Sequence, residues 1–442
     1  MRAETPRLRA RGLLAAAVAV TMTLLAAACS SGSSGGGSQS LKIITWVNPP
    51  AVTAIKKIDA EFQKKYPNIH VQLQTAANVN GPYQTLLQTS VDSGSADIVS
   101  TVSPFQALPL KPTKANMSPV QYWSTKGVFA PLNGNSFLSA YTPGAVAAET
   151  YQGKTYGVVS GSYQEGVFYN KAIFTKYHLQ PPATYSQFLT LLQTLKSHHV
   201  TPMFVGLGNV GPVYLQFIYY ELMISLWYPH APGGNLATAL ENGSAKWTSP
   251  EFTQAMNEEK TVAQYLEPNY TGVPWESMPG DFAKGDAAML LDGSWDLAAV
   301  HQANPSMKVG FFPLPGSNVA ADNQPEVGYN LTFEVLNASH NKPAAMKWLK
   351  FFSSPSVYAQ YVNITGISSS QKSGTFTGFS AQSLGKWFGK GVNLNVFYPV
   401  LSNSNGFYDQ QTNWPNLQLD VIQGKKTAQQ AQALYQKDWT AP

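Results

Sequence analysis

Carboxylates, a glycine-rich loop and a set of aromatic rings are the residues of this chain whose types and spacing could do chemistry. Glu165, Asp281, Asp286, Asp292, Asp296 and Asp409 could all face a cleft. Two carboxylates about 5–10 Å apart can hydrolyse a glycosidic bond, but the favoured reading is that these acids accept hydrogen bonds from hydroxyls or cap helices. Gly206-Leu207-Gly208-Asn209-Val210-Gly211 spells GxGxxG between a strand and a helix. No strand follows that helix at dinucleotide-fold spacing, and no acid stands at the ribose position. The loop is read as backbone approaching a cleft, with Asn209 a candidate ligand contact and no cofactor expected. Gly32-Ser33-Ser34-Gly35-Gly36 matches GxSxG, yet it lies in a Ser/Gly tract where no strained elbow forms. The 7 histidines show no i, i+4 spacing, so no metal site is expected.

The aromatics point elsewhere. Trp295 follows Gly293-Ser294 at a strand-to-helix turn. An indole face there can stack on the C–H face of a pyranose and leave the sugar hydroxyls free. Trp275, Trp414, Phe105 and Tyr83 are weaker stacking candidates, and Asn48, Tyr163, Glu165 and Asn330 offer hydrogen bonds from loop positions. Charged residues make up only 12% of the chain, and uncharged hydrogen-bonding side chains plus aromatics are what neutral carbohydrate demands.

The chain's four arginines are Arg2, Arg7, Arg9 and Arg11, followed by a charge-free apolar stretch over residues 12–28 that ends in small residues. That is a secretory signal, residues 1–28. Leu25-Ala26-Ala27-Ala28-Cys29 resembles a bacterial lipobox, and Cys29 is the one cysteine in the sequence. Residues 29–40 then form a Ser/Gly tether suited to hold a domain off a membrane. Losing the four arginines and Glu4 lowers the formal net charge from +5 to +2. A mature chain without Arg lacks the usual two-pronged grip on carboxylate and phosphate, which argues against nucleic acid, phosphate esters and peptides as ligands.

About 400 mature residues suggest two domains. A strand at residues 41–47, a helix carrying Val52, Ile55, Ile58, Phe62 and Tyr66, a strand at Ile69, Val71 and Leu73, a second helix and Asp97-Ile98-Val99-Ser100 read as β-α-β-α-β. The same alternation returns after residue 160. Thr184 with Gln187 starts a helix, residues 200–205 form a strand, and Ser249-Pro250 opens another helix. Residues 288–291 and 309–312 are strands, and 343–352 a helix.

Tyr151-Gln152-Gly153-Lys154-Thr155-Tyr156-Gly157, then Gly166-Val167-Phe168-Tyr169-Asn170-Lys171, resembles the domain-entry motif of family 1 extracellular solute-binding proteins, the group containing the maltose-binding proteins. Pro181-Pro182-Ala183-Thr184-Tyr185 with Phe188 is similar to that family's helix start, Tyr replacing Trp. Phe282-Ala283-Lys284-Gly285-Asp286-Ala287-Ala288-Met289 followed by Gly293-Ser294-Trp295 is similar to its most recognisable block. Residues 309–315, Lys347-Trp348-Leu349 and Thr365-Gly366 complete the series in family order.

The resemblance implies an α/β fold of two lobes, each a mainly parallel sheet flanked by helices. The chain would cross the hinge near residues 161–165, 311–315 and 364–370. Lobe 1 would comprise residues 41–163 plus 314–364, and lobe 2 residues 164–313 plus 365–442. It implies a monomeric, non-enzymatic receptor that closes on a neutral mono- or oligosaccharide and presents it to the permease subunits of an ABC-type importer. It makes Trp295 a sugar-stacking residue. Where maltose-binding proteins have a tryptophan after the third strand this chain has Thr101 or Val102, which leaves room for a ligand other than maltodextrin. Tyr219-Tyr220 resembles the pair used by ferric-ion-binding relatives, but lies in an apolar helical run and is read as packing. Cys29→Ser should move the protein from the membrane fraction to the soluble one; unchanged fractionation would sink the lipid-anchor expectation.

Overall fold

The computed structural model describes residues 38–77, 82–102, 117, 119–208, 211–231, 236–373, 376, 378–393 and 414–440. Cys29 and the expected signal lie outside them. Strand β1 (Gln39–Trp46) begins two residues inside the expected tether, because Gln39 and Ser40 pair in register with Ile69 and His70 of β2 (Ile69–Ala76). Between them runs helix α1 (Pro49–Lys65). Asn48 caps it by accepting from the Ala51 N–H at 3.0 Å, with prolines in the first turn. Its buried residues Ala54, Ile55, Ile58 and Phe62 recur at helical spacing, and Lys64 and Lys65 sit at the negative end of the helix dipole. Helix α2 (Pro82–Ser93) leads to β3 (Ile98–Val102), parallel on the other side of β1. β1 is buried on both faces. Leu41 and Ile43 enter one apolar cluster and Ile44 another, as a strand covered by crossover helices requires.

A small hairpin, β4 (Thr150–Tyr151) and β5 (Lys154–Thr155), precedes β6 (Gly157–Val159). The chain then leaves for a second sheet of β7 (Ser162–Asn170), β8 (Met203–Phe204), β9 (Met289–Gly293) and β10 (Val309–Phe312), ordered β10-β7-β9-β8. β11 (Val327–Tyr329) pairs with the start of β7, and β12 (Leu331–Val335) returns to the first sheet, completing the order β2-β1-β3-β12-β6. Among the helices after α2 are α3 (Tyr185–Ser197), α4 (Leu215–Leu226), α5 (Pro250–Ala263), α6 (Leu297–Ala303), α7 (Lys342–Phe352), α8 (Pro355–Thr365), α9 (Trp414–Ile422) and α10 (Ala428–Thr440). The expected start of α3 is present. Thr184 accepts from the Gln187 N–H at 3.4 Å while Gln187 accepts from the Ala183 N–H at 2.8 Å.

Both lobes mix helices and sheet as expected, but the sheets are less parallel than expected. β8 and β9 are parallel, whereas β9, β10 and β11 all run antiparallel to β7, and β12 runs antiparallel to β3 and β6. The cause is topological. β7 and β12 enter straight from the opposite sheet, so they run away from the crossing while their neighbours run toward it. The carboxyl ends of those neighbours therefore all face the crossings, where ligands of open α/β sheets bind.

The first crossing is Ser160-Gly161, between β6 and β7. The chain returns at Asn330, not at 311–315. Residues after β10 stay with the second sheet because Asn318 accepts from the Ser186 N–H at 2.9 Å and Asn323 donates to the Ala183 carbonyl at 2.8 Å. The third crossing follows α8, which ends at Gly366 with a φ of +77° that suits glycine. Residues 370–372 still bond the first lobe, the Thr142 N–H donating to the Ser370 carbonyl at 2.9 Å and the Lys372 N–H to the Ala140 carbonyl at 2.8 Å. Ser162 and Ser368 exchange backbone hydrogen bonds of 2.9 and 2.7 Å, and Ser162 also pairs with Tyr329. All three crossings thus lie side by side. No helix among the described residues is long and apolar enough to cross a membrane.

Several acids are buried in these cores. Asp59 accepts from the Trp348 indole N–H at 2.7 Å, Glu258 from Gln254 at 2.8 Å, and Glu334 from Thr101 at 2.7 Å. Burial pushes each up to about 7, the hydrogen bonds opposing only in part. The native state then holds more protons than the unfolded chain between about pH 4 and 7. The stabilisation is full below the unfolded carboxylate range and is lost as pH rises through about 7. Melting temperature should peak near pH 4–5 and fall toward pH 7.5, each group costing up to about 1.4 kcal/mol per pH unit. A melting temperature that rises over that window would contradict this.

Candidate functional site

The loop leaving β9 is held from two sides. Ser294 is buried and its Oγ accepts from the Gln164 N–H of β7 at 3.2 Å. Gly293 lies directly under the Trp295 indole, and a Cβ there would land on its six-membered ring. Glycine is needed here for close approach, not for an unusual φ, which is −94°. The seated indole meets Tyr163 edge-on at 4.9 Å and 76°, and Phe217 at 6.1 Å. The rings continue outward: Tyr214 is 4.4 Å from Phe217, and Trp275 is 5.6 Å from Tyr214. Trp295 is half-buried and packs against apolar residues of both large clusters. One ring therefore touches the cores on both sides of the crossings.

The expected residues divide. Tyr163, Glu165 and Trp295 come together, because Glu165 pairs across the sheet with Gly293. Trp275 ends the series of rings. Asn48 sits half-buried at the carboxyl end of β1, with its side-chain oxygen engaged in capping α1. Asn330 is half-buried at the second crossing, where its N–H donates to the Gly161 carbonyl at 2.8 Å. Two candidates are corrected. Tyr83 is wholly buried and donates to the Ser100 carbonyl at 2.6 Å, leaving no free face. Trp414 is stacked on Tyr435 at 4.6 Å and meets Trp247 edge-on at 4.9 Å, inside the second core. Phe105 and Asn209 lie outside the described residues. Tyr219 and Tyr220 are buried, with hydroxyls hydrogen-bonded to Gln432 and Gln216.

Sequence reasoning did not single out Tyr214 and Phe217. Together with Glu221 they recur at three and four residues, one stripe of the helical stretch. A lone carboxyl in an otherwise apolar helix was the available signal. Glu221 meets Glu165 and Glu326, and the three offer oxygens within 4.8 Å of one another, all buried. The Glu165 N–H donates to the Glu326 carbonyl at 2.9 Å, and the Glu326 N–H to Glu221 Oε1 at 2.9 Å. Burial, then the neighbouring acids, hold Glu165 well above the usual carboxylate range, and burial raises Glu326 to about 7. Beside Trp295, burial also raises Asp292 and pushes Asp296 up to about 6; both carboxyls interact with the indole. The arrangement offers an apolar platform with Asp296 half-buried beside it, while Glu165, Glu221, Glu326 and Asp292 are buried beneath.

The model describing bacterial extracellular solute-binding proteins matches residues 48–359. The chain is similar to a multiple sugar-binding protein of Streptococcus mutans, 24% identical over 71% of this chain and 70% of that one. Its fold is similar to the solute-binding protein RafE in complex with raffinose, with a TM-score of 0.69, 17% identity and coverage of 90% and 98% of the two chains. It is also similar to a chitin oligosaccharide binding protein, with a TM-score of 0.73, 19% identity and coverage of 90% and 98%. At these identities the solved structures establish the fold alone.

Gly293→Ala tests the seat of the indole. Alanine tolerates this backbone, so the effect reports the forced movement of Trp295, at a cost of about 1–3 kcal/mol for overpacking. Near-ultraviolet circular dichroism should change with it. Gly280→Ala, where a Cβ would meet nothing within 4 Å, should leave both stability and the spectrum near wild type. Identical behaviour of the two variants would remove Gly293 from this role.

Proposed function

The chain belongs to the bacterial extracellular solute-binding protein family, and from that premise we propose that it captures a neutral mono- or oligosaccharide and delivers it to an ABC-type importer. The observation that carries the reading is the half-buried Trp295 ring standing between the two cores, at the carboxyl ends of the strands. A pyranose stacked there would bury apolar area against the indole while the half-buried Asp296, Asn48 and Asn330 take its hydroxyls. The arginine-free mature chain supports a neutral ligand over an anionic one. The printed names of its relatives, among them a multiple sugar-binding protein, support a sugar. The lobes would comprise residues 41–159 with 331–372, and 162–329 with 379–393 and 414–440. Closure of one on the other would complete the contacts, so that ligand shifts an existing open–closed equilibrium. The receptor would act as a monomer without turnover, held at the extracytoplasmic face by lipid on Cys29.

A thermal-shift screen against a carbohydrate library tests this. A ligand at a hundred times its dissociation constant should stabilise by about 2.7 kcal/mol. Release of reducing sugar from a disaccharide panel at enzymatic rates would replace the receptor with a hydrolase. For whichever sugar scores, Trp295→Ala should lose about 10–100-fold in affinity, since stacking and apolar burial vanish from the bound state. Its unliganded melt should move far less than the about 3–5 kcal/mol that a core tryptophan costs. Wild-type affinity in calorimetric titration would take Trp295 out of the site.

A further inference from the structure

The three carboxyls of Glu165, Glu221 and Glu326 belong to three different elements, and two of those elements are the crossings themselves. Glu165 lies on β7, four residues past Gly161, and Glu326 lies directly before β11, four residues ahead of Asn330. Glu221, on α4, accepts from the Glu326 backbone at 2.9 Å and so ties that helix to the second crossing. The Glu165–Glu326 backbone bond ties the two crossings to each other. All three side chains are excluded from water, Glu165 at 1%, Glu221 at 0% and Glu326 at 2% exposure. The titratable groups acting on them are one another and Asp292 of β9, with Tyr214 ahead of α4 facing Glu165. None of these is a cation. Like charges this close inside the protein repel strongly, so the cluster packs only while protons neutralise it.

We propose that Glu165, Glu221 and Glu326 form a proton-operated latch at the base of the crossings: protonated, they clamp β7, β11 and α4 together, and deprotonated they loosen the hinge. Protons shared between carboxyls replace the cation that would ordinarily fill such a site, and Glu165 is placed to donate to Glu326. Loosening would reach the platform directly. Glu165 pairs with Gly293, and Gly293 seats Trp295. Ligand capture would therefore be tighter in acidic surroundings. The effect on capture rests on the proposed receptor function; the latch itself does not.

The test uses the ligand-free protein, so that its failure is separate from failure to find a sugar. Hydrogen–deuterium exchange is measured at about pH 5 and about pH 8 and expressed as protection factors, which remove the intrinsic pH dependence of exchange. Protection across residues 162–168 and 326–330 should fall about tenfold or more, one coupled proton being worth tenfold per pH unit. In Glu165→Gln with Glu326→Gln, which keeps shape without the charge, that fall should be abolished. Glu258→Gln, a buried acid on α5 away from the crossings, should leave the fall unchanged. Equal protection at the two pH values, or the same fall in the double variant, would overturn the latch. Restoration of protection at about pH 8 by millimolar calcium alone would overturn it in favour of a cation site. If the double variant does not fold, the infrared spectrum of Glu165→Gln alone decides. Its protonated-carboxyl band above about pH 6, to which Asp59, Glu258 and Glu334 also contribute, must be weaker than in the wild type; an unchanged band would end the proposal.

Discussion

Three strands of backbone lying side by side carry the whole architecture. Ser162 is bonded to Ser368 on one edge and paired with Tyr329 on the other, so every route between the two sheets passes through one narrow hydrogen-bonded band. A band of that kind resists shear, because sliding one strand breaks several bonds at once. It permits bending, because backbone bonds at its ends can rotate without breaking any. From this constraint follow the strand directions, the convergence of carboxyl ends and the position of Trp295. The two large apolar clusters are separate bodies, each able to bury its own surface, and they meet around the band.

Crowding at the band explains its residue types. Gly161 packs against Ile367 and the Ser368 carbonyl with no room for a side chain, and Gly328 lies under the Tyr163 ring. Buried serines and Gln164 surround them, with Ser368 donating to Gln164 at 2.7 Å. Small and polar residues let backbones approach without wedging the lobes apart, and their hydrogen bonds satisfy groups that water cannot reach.

Much of this was legible in the sequence where the signal is local. The opening β-α-β-α-β, the Thr184–Gln187 start and the strand at residues 309–312 all rest on residues within one helical turn or one pleat of each other. The place of Trp295 at the turn after β9 was legible because Gly293-Ser294-Trp295 is itself a short pattern. The return crossing was not, since it depends on Asn318 and Asn323 reaching back to residues 183–186 across the fold. Tyr83 and Trp414 looked accessible because a stacking ring and a core ring are the same residue type, and only long-range packing separates them. The acid cluster was the least legible. Glu221 and Glu326 stand 105 residues apart and meet only after both crossings are made.

The insertion of β12 has a consequence for how the chain acquires its shape. β12 lies between β3 and β6, pairing Thr332 with Thr101 on one side and with Val159 on the other. Until residues 331–335 have emerged, the first sheet remains in two pieces with two open edges facing each other. The second sheet has all its strands by residue 329 and can close without help from the first. A chain delivered from its amino end therefore has every strand of its second sheet before the first sheet can close, while the second core still waits on Trp414 and Tyr435. Open strand edges invite pairing with other chains and non-local pairing is slow, so the unclosed first sheet is where misassembly begins.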